Sequence, residues 1–369
     1  MHNRKLRRRP SRGFVLGAGL AALLAGVSGM SPAGAAATRS DARISASSLA
    51  GKRVLVVPYW LDTFGSAFGN WVQRDYKALG VSVTVFNANA VASAQLNVLD
   101  TAIASGQYAG IIWQPIDVGA ATTTIQAIQG AKIPQVVFNA DLKPGQGGVT
   151  APQLVINYNS LYASGQDAAR YLKSHPKLGT HPELAWIGAF PTTTDCNDRL
   201  AAIVSGMKSI SPGTTVVLNT GASSAANAES EMADFITRGK SFNVFDGCGS
   251  TQSVSGVSAL QAAGLAGATN KVPAHVYIMS QDATPPELQL LWSSKSAMML
   301  SDLLPPRGAA TAAVDLLNKQ LTGKIGIKSP EIDGFDFTAI GTNCRTNRPI
   351  IAENYLGVAG ITTPSCPAS

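Results

Sequence analysis

The sequence has little charge, few aromatic residues and few of the residues that carry catalytic or metal chemistry. Of its 369 residues, 14% are charged and 7% are aromatic, with four histidines and four cysteines. The cysteines and histidines do not stand at the short spacings that protein zinc sites use. The Gly-x-Ser-x-Gly motif of hydrolases is absent, and Gly247-Cys-Gly249 lacks the third glycine of a dinucleotide motif. These absences favour a protein that is not an enzyme and that binds neither a cofactor nor a metal.

The positive net charge of +7 is confined to the N-terminus. Six of the 29 lysine and arginine residues lie within the first 12 positions, and no acidic residue precedes Asp41. The rest of the chain carries 23 basic and 22 acidic side chains. A nearly neutral chain lacks the basic surface that binds phosphate backbones, so we expect no nucleic-acid partner.

The N-terminus has the pattern of an export signal. A basic run is followed by the apolar stretch 14–30 and by small residues ending at Ala37. We therefore predict a signal peptide over 1–37, cleaved near Ala37, and a periplasmic, extracellular or cell-wall location. The arginines at 7–9 loosely resemble a twin-arginine signal, so the export route stays open. The apolar stretch is too short for a membrane anchor.

After a polar linker (38–51), short β-branched runs alternate with longer segments of helical periodicity. Predicted strands cover 53–57, 82–86, 110–113, 135–138, 184–188, 215–218, 243–246 and 275–280. Predicted helices cover 66–79, 93–105, 120–130, 160–174, 198–210, 226–238 and 250–263. This alternation predicts an α/β fold with parallel sheets covered by helices, divided into two lobes. We expect residues 325–369 to be irregular chain with short strands, held by a disulfide.

A series of short motifs follows the predicted strands in a fixed order. They are 54–64 (VLVVPYWLDTF), 79–86 (LGVSVTVF), 110–117 (GIIWQPID), 131–139 (AKIPQVVFN), 198–199 (DR), 250–264 and 280–285 (SQDATP). Their order and spacing resemble those of the ribose-type periplasmic binding proteins of bacterial ABC transporters, over most of residues 52–325.

The resemblance implies the type I periplasmic binding protein fold, which has two Rossmann-like lobes joined by three hinge crossings. It assigns 52–158 plus 303–328 to the N-terminal lobe and 159–302 plus 329–369 to the C-terminal lobe. The crossings are expected near 158–159, 301–302 and 328–330. It further implies a monomer that closes on a small neutral polar solute, with a monosaccharide as the leading expectation, and delivers it to an ABC permease.

Ligands of such folds bind beyond the carboxyl ends of the strands, which selects the candidate residues. The candidates are Tyr59, Trp60, Asp62, Phe64, Gln114, Asn139, Asn197, Ser250 and Asp282. Aromatic faces pack on sugar rings while polar groups bind the hydroxyls. Asp282, in the motif Asp-x-Thr-Pro, is the strongest candidate. Phe64 has the alternative role of packing against its own helix, and Asp117 is expected to cap a helix.

Two positions depart from the ribose pattern. Ala140 and Asn197 stand where ribose binders have arginines, which shifts the expected ligand from ribose towards another neutral solute. A polyol, a signalling molecule or a more apolar metabolite stays open. A sensor that presents its ligand-bound form to a membrane receptor is the alternative function.

The four cysteines allow three disulfide pairings. Cys196 and Cys248 follow neighbouring strands of the implied second lobe, while Cys344 and Cys366 share the tail. This arrangement favours the pairs Cys196–Cys248 and Cys344–Cys366.

Overall fold

The computed structural model describes residues 46–139, 150–189, 194–355 and 361–367. The predicted signal peptide and Ala140 lie outside these ranges. The strands are β1 (Arg53–Val57), β2 (Ser82–Val85), β3 (Gly110–Trp113), β4 (Gln135–Phe138), β5 (Gln153–Asn157), β6 (Glu183–Gly188), β7 (Thr215–Gly221), β8 (Val244–Gly247), β9 (Ala268–Thr269), β10 (Val272–Pro273), β11 (Tyr277–Gln281), β12 (Met298–Leu303), β13 (Ile332–Asp336) and β14 (Thr338–Gly341). The helices are α1 (Ala46–Leu49), α2 (Thr63–Lys77), α3 (Ala92–Ser105), α4 (Val118–Gly130), α5 (Asn159–Ser174), α6 (Thr194–Ile210), α7 (Ala225–Thr237), α8 (Ser250–Ala262), α9 (Pro285–Trp292), α10 (Pro306–Leu321) and α11 (Cys344–Tyr355). None of the helices in these ranges combines the length and the hydropathy that a bilayer span requires.

Two six-stranded sheets form the two lobes, which confirms the predicted fold class. The first sheet has the order β13-β5-β4-β3-β1-β2, and all its strands are parallel. The second has the order β14-β12-β11-β8-β6-β7, with only β14 antiparallel to its neighbour. Every residue of β3, β4 and β11 is buried, because helices cover both faces of each sheet. Continuous apolar runs therefore encode these central strands.

The chain crosses between the two sheets three times. The crossings lie between β5 and α5, between β12 and α10, and between β13 and β14. The third corrects the expected position near 328–330, because β13 pairs in parallel with β5 of the first sheet. Residues 332–336 thus belong to the first lobe, and Phe337 forms the crossing. This strand is a half-exposed edge strand, so its sequence lacks the apolar run that marks the inner strands.

Two segments expected to be irregular are ordered. The end of the predicted linker forms α1, where Leu49 is fully buried in the core. The tail forms α11, a helix of 12 residues that contains Pro349. The prolines of this segment predict irregular chain. In the structure, however, Ile351 and Tyr355 of α11 are buried against the second lobe. Tertiary packing of an apolar face here outweighs a poor intrinsic helix propensity.

Candidate functional site

Eight of the nine candidate residues line one cavity between the two sheets. The cavity holds about 630 Å³ of space free of protein atoms, part of it open to solvent. Its wall includes Tyr59, Trp60, Asp62, Phe64, Gln114, Asn139, Ser250 and Asp282. Each follows the carboxyl end of a strand, so two parallel sheets that face each other bring them together. The exception, Asn197, is exposed on α6 and does not line the cavity.

The loop after β1 forms the aromatic part of the wall. Asp62 ends this loop as the N-cap of α2, since its Oδ1 accepts a hydrogen bond of 2.8 Å from the Gly65 N–H. A side chain at Gly65 would place Cβ only 1.8 Å from the Trp60 carbonyl oxygen, so only glycine fits there. Phe64 lines the cavity and also stacks on Phe68, with ring centroids 5.9 Å apart. Phe64 therefore packs against its own helix and also lines the cavity, while its role as a ligand contact stays a prediction.

Gln114 and Asn139 follow β3 and β4 at the floor of the first lobe. Both are buried. The Asn139 side-chain oxygen Oδ1 has no hydrogen-bond partner among the described residues, although it lines the cavity. A buried acceptor without a partner is costly, so this atom is available to a ligand hydroxyl. Asp117 instead caps α4, as predicted, with Oδ1 2.8 Å from the Gly119 nitrogen.

Asp282 forms the opposite wall in the second lobe. Its Oδ2 accepts a hydrogen bond of 3.1 Å from the N–H of Ser250, the first residue of α8. Gly249 lets the carboxylate approach closely, because a Cβ there would lie 3.0 Å from Oδ2. Asp282 has a φ of 92° and Ala283 a φ of 48°. Non-glycine residues rarely adopt this backbone region, and such strain is concentrated at functional sites.

Arg199 is the main residue of the site that the sequence did not predict. It is 4% exposed, and its Nη1 donates to the Cys248 carbonyl at 2.5 Å and to Gln281 Oε1 at 3.4 Å. It also forms ion pairs with Asp195 at 3.5 Å and with Asp282 at 3.8 Å. Arg199 therefore gives the cavity wall a cationic group although Asn197 stands where ribose binders have an arginine.

The local geometry of α6 explains why Arg199 lines the cavity and Asn197 does not. Helix α6 begins at Thr194, four residues before the predicted start. Residues two apart on a helix point in different directions, so Arg199 faces the cavity while Asn197 faces solvent. Asp195 and Arg199 form an i,i+4 pair of opposite charge. This spacing is the sequence feature that could have predicted that the helix begins earlier and includes both residues.

Among the described residues that line the cavity, carboxylates outnumber cationic groups. Asp62, Asp195 and Asp282 line it together with Arg199. Asp62 is an exposed residue at the cavity edge, but desolvation by the surrounding protein and repulsion from Asp282 raise its pKa to about 6. Burial also raises the pKa of Asp282, while Arg199 opposes this shift. The excess of acceptors and of negative charge suits a ligand rich in hydroxyl donors and disfavours an anion.

The disulfide Cys196–Cys248 lies in the second-lobe wall. It joins the first turn of α6 to the residue after β8, and both cysteines line the cavity. The other disulfide joins Cys344 to Cys366. These are the pairings favoured from the sequence. Because Arg199 donates to the Cys248 carbonyl, the first disulfide also fixes an acceptor that orients Arg199.

Asp302 lies behind the site, where the crossings between the lobes meet. It is fully buried on β12, and its Oδ1 accepts hydrogen bonds of 3.0 Å from both Ser160 and Ser164 of α5. Burial raises its pKa to about 6, the two serine hydrogen bonds oppose the shift, and repulsion from Asp336 and Asp167 adds to it. This carboxylate therefore changes its charge in a mildly acidic range.

The Asp302→Asn variant is expected to flatten the pH dependence of stability. Since the pKa of Asp302 in the folded protein lies above its ordinary value of 3.8, its contribution to stability is complete below pH 4 and is lost as the pH rises through about 6. Asparagine keeps the acceptor for both serines and carries no charge. Relative to the wild type, the variant should gain about 2–3 kcal/mol in free energy of unfolding between pH 4 and pH 8.

Urea denaturation at both pH values measures this difference. Asp100→Asn, at an exposed position of α3, is the matched control and should follow the wild-type pH profile. Parallel pH profiles for Asp302→Asn and the wild type would contradict the assignment.

Known proteins share this architecture. A solute-binding protein of an ABC transporter from Agrobacterium vitis, bound with alpha-D-tagatopyranose, is 19% identical with a TM-score of 0.68, over 81% of this chain and 98% of that one. One from Bacillus halodurans with bound myo-inositol is 15% identical with a TM-score of 0.66, over 81% and 97%. One from Burkholderia graminis in complex with D-arabinose is 17% identical with a TM-score of 0.67, over 80% and 97%. These identities are low, so the likeness shows the fold.

Sequence comparison shows the family. None of the curated proteins is a significant match. The sequence profile of the periplasmic binding protein domain matches residues 53–325, which is most of the chain and nearly the range over which the motifs predicted the resemblance. This chain therefore belongs to the family of periplasmic binding protein domains.

Proposed function

We propose that this protein captures a neutral monosaccharide or polyol in the cavity between its lobes and delivers it to the permease of an ABC transporter. The observation that carries the proposal is the cavity itself. Its wall combines aromatic rings from the loop after β1 with buried acceptors from both sheets, including Asn139 and Asp282. Such a wall suits a ring with apolar C–H faces and several hydroxyl donors.

The neighbouring structures support the same ligand class, because those proteins hold a ketohexose, a cyclic polyol and a pentose. The excess of carboxylates in the described cavity wall narrows the expected ligand class to neutral solutes. A sugar acid would bring a further carboxylate next to Asp62 and Asp282, and like charges at close range in a desolvated site are strongly unfavourable. Neutral sugars and polyols avoid this repulsion.

An export signal over 1–37 would carry the protein out of the cytoplasm with cleavage near Ala37, and its partner there would be a membrane permease. The protein would act as a monomer and bind its solute without converting it. A permease and an ATPase encoded beside this gene would support transport over sensing.

A thermal-shift panel tests the proposal. D-Tagatose, myo-inositol, D-arabinose and D-ribose form the neutral set, while D-glucuronate and D-gluconate form the anionic set. A solute present at 100 times its Kd stabilises the folded state by about 2.7 kcal/mol, which corresponds to a rise in Tm of roughly 3–5 °C for a protein of this size. At least one neutral solute is expected to reach this shift and the acids are not. Stabilisation by the acids alone would overturn the proposal.

A further inference from the structure

Helix α11 and the segment 361–367, here called the C-terminal clamp, lie beyond the region that the family profile matches. The disulfide Cys344–Cys366 joins the start of α11 to this segment. Ile351 and Tyr355 on the same helix are buried in the apolar cluster of the second lobe. The clamp is therefore anchored firmly on the second lobe.

The last turn of α11 also contacts the first lobe. The indole N–H of Trp71 on α2 donates to the Asn354 carbonyl at 2.7 Å, and this hydrogen bond is buried. Next to it, Arg307 of α10 pairs with Glu353 at 2.6 Å. Arg307 also lies over the Trp71 ring, 5.0 Å from its centroid. Consecutive residues of one helical turn thus hold an element of the second lobe against two helices of the first.

The following residue, Tyr355, contacts the wall of the binding cavity from behind, at the backbone of Asp282. It is 2% exposed, and its hydroxyl donates to the Asp282 carbonyl at 2.8 Å. Asp282 needs such support because its φ of 92° lies in a region that is strained for a residue with a side chain. Its N–H donates to the Asp302 carbonyl at 2.8 Å, and the next N–H, of Ala283, donates to Ser301 Oγ at 3.1 Å. Tyr355 thus adds a hydrogen bond to the backbone of this strained pair from an element outside the second sheet.

We infer that the C-terminal clamp couples the arrangement of the lobes to the binding site, with Tyr355 as a positioning residue for Asp282. One short helical turn contacts α2 and α10 through Glu353 and Asn354, and the backbone of Asp282 through Tyr355. A hinge motion of the first lobe must either break the Trp71 hydrogen bond or move α11, and movement of α11 displaces the hydroxyl that holds Asp282. The carboxylate of Asp282 is then correctly oriented only while the clamp joins both lobes. The effect on ligand affinity rests on the proposed function, whereas the effect on the backbone does not.

Tyr355→Phe and Trp71→Phe test this coupling, since each removes one donor and keeps an aromatic ring, which is of the same size in the first variant and smaller in the second. In the ligand-free protein, amide hydrogen exchange of Asp282 and Ala283 is expected to become about 3- to 10-fold faster in both variants, because a neutral buried hydrogen bond is lost. Tyr108→Phe, a half-buried tyrosine of the first lobe, is the matched control and should leave these amides unchanged. Unchanged exchange in both clamp variants would overturn the inference, whatever the protein binds.

Calorimetric titration with D-tagatose, D-arabinose and myo-inositol gives the second readout. Tyr355→Phe is expected to weaken binding about 3- to 10-fold. If Tyr355 acts through Asp282, the double variant with Asp282→Asn should bind no more weakly than Asp282→Asn alone, since coupled residues are not additive. Fully additive losses would show a merely structural role and contradict the inference. If the wild type bound none of these probes, the proposed ligand class would fail and hydrogen exchange alone would decide on the clamp.

Discussion

The Arg199→Met variant is expected to lose about 3–5 kcal/mol of free energy of unfolding at pH 8, because it leaves buried carboxylates without their counter-charge. Arg199 lies between Asp195 and Asp282 and is 4% exposed. Methionine retains much of the side-chain volume, so the loss reports on charge and hydrogen bonding. The deficit should shrink at acidic pH, since protonation of Asp282 removes the uncompensated charge. Urea denaturation under non-reducing conditions measures both values.

A rescue variant and a surface control test whether the stability loss of Arg199→Met comes from the buried carboxylates. Adding Asp282→Asn to Arg199→Met should recover part of the lost stability, because it removes one of the stranded charges. Arg170→Met breaks an ion pair with Asp167 in which both side chains are more than half exposed, and such pairs contribute about 0–1 kcal/mol. Equal losses for Arg170→Met and Arg199→Met, or no recovery in the double variant, would contradict a central role for Arg199.

The Asp282→Ala variant is expected to weaken binding of neutral sugars or polyols 10- to 100-fold. Hydrogen bonds to a charged acceptor contribute about 1.5–3 kcal/mol, and each 1.4 kcal/mol corresponds to a factor of about ten in Kd. The carboxylate lines the cavity, and the Ser250 N–H at the start of α8 holds it in place. Isothermal titration with whichever sugar or polyol of the panel gives the largest thermal shift measures the change.

Asp117→Ala is the matched control for this experiment. Asp117 also follows the carboxyl end of a strand, but its Oδ1 accepts hydrogen bonds from the first turn of α4 and it does not line the cavity. Its loss should lower stability by about 1 kcal/mol and leave the affinity unchanged. If Asp282→Ala bound with wild-type affinity, or Asp117→Ala bound as weakly as Asp282→Ala, the carboxylate of Asp282 would not be a ligand contact.

The wall of the cavity was largely predictable because it depends on strand ends. The inner strands β3 and β4 coincide with predicted bounds, since residues buried on both faces of a sheet form continuous apolar runs. Once those bounds are known, the residues that follow them, such as Gln114 and Asn139, must reach the same edge of the sheet. The chemistry of the wall then follows from residue type.

Elsewhere the sequence was a poor guide, because the deciding partner lies far away along the chain. Arg199 is a wall residue only because α6 begins at Thr194 and turns that side chain towards Cys248 and Asp282. Helix α11 forms despite its proline because the second lobe buries its apolar face.

What the sequence by itself determined is the alternation of strands and helices, the division into two lobes and most of the aromatic and polar residues around the cavity. These features depend on local apolar patterns and on the chain order of the motifs. Only the tertiary structure decided that β13 joins the first sheet, that Arg199 stands among the carboxylates and that Tyr355 holds Asp282 from behind. The physical reason is that the state of a buried polar group depends on which partners packing brings within about 3 Å, and no pattern of neighbouring residues encodes that.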